Sequence, residues 1–310
     1  MTLAVKALSQ WSLTEPSITL AAHRENKVYR VEAEEGTFAL RHHRAGYRTD
    51  AELVSELLWM GALEAGGLSV PRPVAASNGD LLQVIDGAQF DMLTWLPGIP
   101  LGTSDVPLDQ PDRIGCFHRM GEALAKLHKI SDDWQPPEGF TRPDWGLTGL
   151  LGEEPLWGRF WESPALNPEQ SRLLKDFREK ARADLVQVDD IGLIHADMLR
   201  ENVLVDGETI RLIDFDDSAF GYRVFDVVTA LIKNTGEPDY AALKNALIDG
   251  YRTHRPLDTS QLPLLEALRL CTYIGWIVTR TDLPDHAERT ATNLTRAIPA
   301  VTAYMETANA

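Results

Sequence analysis

Cys116 and Cys271 are the only thiols in 310 residues, too few for a disulfide framework. Both lie in apolar helical patterns and read as buried free thiols, the state kept in a reducing cytoplasm. Long apolar runs are missing as well. The longest near the C-terminus, Tyr273-Ile-Gly-Trp-Ile-Val278, is far short of the roughly 20 residues that span a bilayer. The N-terminus, Met1-Thr-Leu-Ala-Val-Lys, has no charged region leading into an apolar core and cleavage site. Positive charge is scarce: 30 basic side chains face 46 acidic ones, a net charge of −16. Such a surface argues against nucleic acid, whose binding rests on neutralising phosphates. Repeats and low-complexity tracts are absent. What remains is a soluble, cytoplasmic chain with no membrane partner, a monomer or homodimer, long enough for two domains.

Against that background residues 191–217 stand out. Ile191-Gly-Leu-Ile194, Val203-Leu-Val205 and Ile210-Arg-Leu-Ile213 are β-rich runs. Asp206-Gly-Glu-Thr209 between the last two has turn chemistry. Folding that hairpin about Glu208 sets Asn202 across from Asp214 at its open end, and the preceding strand delivers His195 and Asp197 to a loop just before Asn202. Magnesium takes oxygen ligands, usually one or two carboxylates with phosphates and water. Asn202 and Asp214 suit that role. Asp197 is then the free carboxylate able to accept a proton from an attacking hydroxyl.

His195-Ala-Asp197-Met-Leu-Arg-Glu-Asn202 resembles the H-x-D-x-x-x-x-N catalytic loop of kinases, and Asp214 stands where their metal-binding D-F-G Asp does. The Asp214-Phe-Asp-Asp217 form, followed by Phe220-Gly-Tyr222 and Phe225-Asp226, resembles the aminoglycoside phosphotransferase and choline kinase family, in the branch of homoserine-kinase-like and bacterial stress-response kinases. The resemblance spans residues 20–280 and is most specific over 193–226. It implies an α+β, bilobal, protein-kinase-like fold, with a β-rich nucleotide-binding lobe at 1–95 and a mostly helical catalytic lobe at 96–310. It also implies ATP and magnesium as cofactors, His195 and Asp226 as structural supports of the loop, and Asp216 as a residue that reaches either a second metal or the substrate, or stays a solvated acid.

Residues 18–95 carry the element order of a kinase small lobe: two strands, a third, a helix capped by Asp50, and two more strands around Asp86-Gly87. On the third strand Arg41 replaces the family's usual lysine; it stays charged and can grip phosphate oxygens bidentately, or be an ordinary edge arginine. Glu56 on the helix is its expected partner, with Glu52 the runner-up. The turn at Ala22–Lys27 lacks a glycine-rich phosphate loop, so Asn26 or backbone amides are the candidates there. Leu93 and Trp95, before Pro97-Gly98, occupy the position whose backbone bonds adenine in kinases.

Residues 131–185 read as a variable helical insertion. Trp134, Trp145, Trp157 and Trp161 within it are either core or faces for a cationic head group. Glu153 and Glu154 are either an ammonium-binding pair or a solvated loop. The expected activity is ATP- and magnesium-dependent phosphorylation of a hydroxyl on a small molecule: an amino alcohol, an aminoglycoside or a similar cationic acceptor. Two alternatives are a stress-response-type Ser/Thr protein kinase, disfavoured because no A-P-E pattern follows Asp214, and a nucleotide-binding pseudokinase, disfavoured by the intact Asp197, Asn202 and Asp214.

Overall fold

The computed structural model describes residues 2–23, 25–104 and 106–307. In chain order the elements are α1 (Leu3–Leu8), β1 (Ser17–His23), β2 (Lys27–Ala33), β3 (Gly36–His42), α2 (Asp50–Ala65), β4 (Leu82–Ile85), β5 (Ala88–Thr94) and β6 (Ile99–Pro100). There follow α3 (Arg113–Asp133), β7 (Asp144–Trp145), α4 (Leu147–Leu151), α5 (Pro168–Leu185), β8 (Ile191–Ile194), β9 (Val203–Asp206), β10 (Thr209–Leu212) and β11 (Ala219–Tyr222). The helices α6 (Arg223–Ile232), α7 (Tyr240–Arg252), α8 (Leu262–Val278) and α9 (His286–Thr307) complete the chain.

Two compact units emerge. The first comprises Met1–Pro100, Asp133–Arg142 and Val203–Asp216; the second comprises Leu101–Asp132, Pro143–Asn202 and Asp217–Ala310. This division is less simple than a cut at residue 95. β6 pairs with β9, which keeps residues 96–100 with the first unit. The expected insertion at 131–185 is also divided, because Arg142 bonds to the backbone of Glu52, Phe215 and Asp216 and so draws 133–142 into the first unit.

The first unit is built on an antiparallel sheet ordered β1-β2-β3-β5-β4. Strand alternation gives its two faces different chemistry. Phe38 and Leu40 of β3 and Phe90 and Met92 of β5 join Trp11 and Leu8 in one core cluster. Arg41 and Asp91 therefore point to the opposite face, and they are directly opposed in the ladder. The β4–β5 hairpin closes on Asp86 and Gly87, both at positive φ, as a two-residue mirror-image turn requires. Thr49, not Asp50, caps α2: its hydroxyl accepts from Glu52 N while Glu52 bonds back to Thr49 N, a reciprocal capping box. The β9–β10 ladder pairs Leu212 with Val203. Its turn thus centres between Gly207 and Glu208, half a residue from the centre expected.

The second unit is mostly helical. All ten residues of α6 are buried, and α8 is buried nearly all round, including Leu265, Leu268, Arg269, Thr272 and Ile274. A helix apolar on every side belongs in a core. A small sheet ordered β7-β11-β8 leads into α6. Gly121 on α3 and Gly250 on α7 permit a close crossing: a Cβ at Gly121 would lie 2.0 Å from the Leu247 carbonyl oxygen, and one at Gly250 would lie 1.9 Å from that of His118. Among the described residues no helix is long and apolar enough to cross a membrane.

Candidate active site

In the second unit β8 ends at Ile194 and the chain turns sharply. Ala196 has φ +65°, a left-handed conformation that costs a non-glycine residue about 1–2 kcal/mol. Asp226, buried in the first turn of α6, offsets that strain. Its two carboxylate oxygens accept from His195 N at 2.7 Å and Ala196 N at 2.6 Å. His128 Nε2 donates to Asp226 at 3.1 Å, and the Tyr251 hydroxyl meets His128 Nδ1 at 2.7 Å. Burial opposes the charge on Asp226, but the bonds and charges of His128 and His195 outweigh it and keep the carboxyl below its ordinary range.

Burial likewise pushes His128 down to about 4 from an ordinary value of 6.5. Between those values the unfolded chain binds a proton at His128 that the folded chain does not. Stability is therefore expected to fall as pH drops through this window, by up to about 3 kcal/mol. His128→Gln should remove that part of the slope. Urea unfolding of both proteins near pH 7 and near pH 5 tests this; equal losses in the two would assign the slope elsewhere.

The turn presents Asp197, one quarter exposed. Asn202 Nδ2 donates to the Asp197 carbonyl and to its Oδ2, both at 2.9 Å. The Asn202 amide nitrogen is thereby committed, and no described residue donates to its Oδ1. That oxygen is the atom a hard cation would use. Arg200, buried on the same loop, anchors it through Asn234 Oδ1 at 2.7 Å, the Val106 carbonyl at 2.6 Å and Glu237 Oε1 at 2.6 Å. Burial alone would raise Glu237, yet Arg113 and Arg200 hold it down to about 2.

In the first unit the segment after β10 carries Asp214 at φ +66°. Phe215 inserts edge-on against Trp59 of α2, with ring centroids 5.5 Å apart. Arg142 Nη2 donates to the Phe215 and Asp216 carbonyls at 3.1 and 2.9 Å, and Arg48 Nη2 donates to the latter at 3.0 Å. Two guanidiniums thus fix the backbone immediately after Asp214. Among the described residues no three His, Cys, Asp or Glu side chains form a metal cage.

Arg41 lies deep in the same unit. Its Nη1 donates to Glu56 Oε1 at 2.7 Å, while Nε and Nη2 clasp Asp91 Oδ1 and Oδ2 at 2.7 and 2.8 Å. His43 Nε2 lies 2.6 Å from Asp91 Oδ2. The partner of Arg41 is therefore Glu56, and Glu52 belongs to the capping box. The guanidinium edge expected to clasp phosphate is occupied by Asp91, because the strand register sets that carboxylate directly opposite. Burial works against all of these charges, but Asp91 and Glu56 hold Arg41 well above its ordinary range, and Arg41 and His43 hold Asp91 well below its own. Glu56 is also lowered, against burial, by Arg41 and Arg142.

Other candidates are placed as follows. Asn26 Oδ1 accepts from Arg44 N at 2.9 Å; Arg24, in the same turn, lies outside the described residues. Leu93 lies within the ladder opposite Ala39, and Trp95 N donates to the Thr37 carbonyl at 3.0 Å, so that amide is already used. Glu153 is exposed and accepts from Arg178 Nη2 at 2.7 Å; Glu154 is exposed. Trp145 and Trp161 are buried, and Trp134 packs edge-on against Phe140. The ring of Trp157 meets a cation of the chain itself, with Arg269 Cζ 4.7 Å from its centroid.

A family model described as "Phosphotransferase enzyme family" matches residues 17–259. The chain belongs to this phosphotransferase family. Homoserine kinase from Mesorhizobium japonicum is 27% identical to this phosphotransferase over 84% of the chain and 78% of the relative. Homoserine kinase from Gluconacetobacter diazotrophicus is 30% identical, covering 74% of each. The structure of a microcompartment-associated aminopropanol kinase superposes with a TM-score of 0.84, at 28% identity, over 98% of this chain and 97% of the other. An amicoumacin kinase, solved in complex with AMP-PNP, Ca2+ and Ami, shares the fold with a TM-score of 0.77 at 20% identity, over 94% and 91%. The phosphotransferase thus has the kinase-like α+β fold.

Asp91 and Arg142 in the first unit, and Arg200 and Arg269 in the second, escaped the sequence reading. Asp91 did leave a signal, a lone acid inside the apolar run Phe90-Asp-Met-Leu93. A charge buried on a strand needs a partner, but only the register names it.

Proposed function

We propose that this phosphotransferase moves the terminal phosphoryl group of ATP, with magnesium, to the hydroxyl of a small amine-bearing acceptor. The observation that carries the reading is the Asp197–Asn202 pair, in which the amide nitrogen orients the carboxylate and the amide oxygen is left for a cation. Asp197 accepts the hydrogen bond of the acceptor hydroxyl and aims its oxygen. Asn202 Oδ1 and the Asp214 carboxylate are the protein ligands proposed for the metal, which when bound neutralises phosphate charge. Arg41 enters as a brace joining β3, β5 and α2. The transition state of phosphoryl transfer is loose, so positioning and charge do most of the work. Aminopropanol and homoserine each carry a hydroxyl and an amine within a few carbons, which supports the acceptor class. Residues 96–310 hold twelve more acidic than basic side chains, a field that attracts cationic acceptors.

The test is ADP release from ATP and Mg2+ with 1-amino-2-propanol, L-homoserine, choline and a set of aminoglycosides, beside a generic basic protein. Acceptor-dependent release that EDTA abolishes is expected with at least one small amine. Labelling of the protein alone would transfer the reading to a protein kinase, and no turnover with any acceptor would leave a nucleotide-binding protein.

A further inference from the structure

Arg269, in the middle of α8, is fully buried. Each of its nitrogens has an acceptor within the second unit: Nε meets Thr229 Oγ1 at 3.2 Å, Nη1 meets Thr272 Oγ1 at 3.1 Å, and Nη2 meets Asp197 Oδ1 at 3.5 Å. The two threonines are themselves fixed, donating to the Phe225 carbonyl at 2.9 Å and the Arg269 carbonyl at 2.7 Å. The rings of Tyr273, Trp157 and Phe225 surround the guanidinium, with centroids 4.5, 4.7 and 5.5 Å from Cζ. Trp145 stacks on Phe225 and meets Trp157 edge-on, which holds that wall in place. A guanidinium walled by rings and hydroxyls has little freedom to turn. A buried cation also needs an anion, and among the described residues its carboxylate partner is Asp197.

We propose that Arg269 is a positioning residue for phosphoryl transfer: it holds Oδ1 of Asp197 while Asn202 holds Oδ2, so the carboxylate meets the acceptor in one orientation. The proposal deepens the phosphotransferase reading and rests on it. Both oxygens need a partner because the side chain has two free torsions. Asn202, next to Asp197 on one loop, restrains a single edge. The second restraint comes from a different helix, and its own position is set by the aromatic wall.

Hydrolysis of Mg-ATP without acceptor provides a readout that needs no acceptor identity, since water then takes the place of the hydroxyl. Arg269→Gln is expected to slow it roughly 10- to 100-fold, with ATP affinity by calorimetry unchanged. Asp197→Asn should slow it at least as much, and the double variant should be no slower than Asp197→Asn alone. A loss of folded protein would instead multiply through both backgrounds, so additive effects would overturn the proposal. Arg269→Lys carries the same comparison if the glutamine variant fails to fold. If the wild-type enzyme hydrolyses no ATP without acceptor, the same comparison is made with the acceptor that supports ADP release; no turnover with any acceptor is the result that fails the phosphotransferase reading itself. The crystal structure of the Arg269 variant then decides the positioning role: a turned Asp197 carboxylate supports it and an unmoved one overturns it.

Discussion

Replacing Asp197 by asparagine is expected to lower turnover by about 10²- to 10⁴-fold, the range for losing a positioned acid–base group, while ATP affinity stays within about twofold. Asparagine preserves the shape, so the loop has no steric reason to move. It offers one oxygen where the carboxylate offered two, and its amide nitrogen would face either Asn202 Nδ2 or Arg269 Nη2, both donors. A group that only orients the acceptor affects kcat and leaves the nucleotide's own contacts intact, so calorimetry with ATP separates that role from a structural one. Steady-state rates with whichever acceptor the screen identifies, alongside the melting temperature, complete the test. Retention of most of the activity would remove Asp197 from the mechanism. A large fall in ATP affinity would move its role to the nucleotide.

Asp91→Ala is expected to be the most damaging single change to stability. Arg41 would keep Glu56 but lose both bonds on its other edge, and His43 would lose its carboxylate. Removing one partner of a buried ion pair costs about 3–5 kcal/mol, because the charge left behind stays desolvated. At about 2–4 °C per kcal/mol for a chain of this class, the melting temperature should fall by roughly 10 °C. Glu52→Ala serves as the comparison: it breaks only the capping box, worth about 1 kcal/mol, on the same helix. Calorimetric scans of the two variants distinguish a keystone from a surface contact. Similar small shifts in both would show that Arg41 relaxes into another arrangement. Asp91→Asn should lie between them, since it retains the hydrogen-bond geometry and loses the charge.

The loop that carries Asp197 was legible as a strand-to-strand connection because its signals are local. His195, Asp197 and Asn202 fall within eight residues, and strand, turn and loop signals around them have short-range causes: branched side chains, a Gly207 turn, an apolar run that stops. The same holds for the order of elements in the first unit and for helices such as α3 and α7. The cap of α2 was misplaced by one residue, because Thr49 and Asp50 are both good caps and only the reciprocal bond with Glu52 separates them. The hairpin centre was misplaced by half a residue, because a two-residue and a three-residue turn share the same composition.

Sequence alone determined the family resemblance and the kinase-like order of strands and helices, and it singled out Asp197, Asn202 and Asp214 as the residues proposed to handle a phosphoryl group. Tertiary structure alone decided what surrounds them. Arg41 is directed away from a bidentate phosphate grip by Asp91, fifty residues distant, because strand register sets the two side by side. Arg142 belongs with α2 and the segment after Asp214, although its neighbours in sequence continue into the other unit. Arg269 reaches Asp197 from a helix seventy-two residues downstream. In each case a buried charge had to find a counter-charge or an acceptor, and its partner is selected by where the backbone brings the two groups together, a condition that no local pattern of residues records.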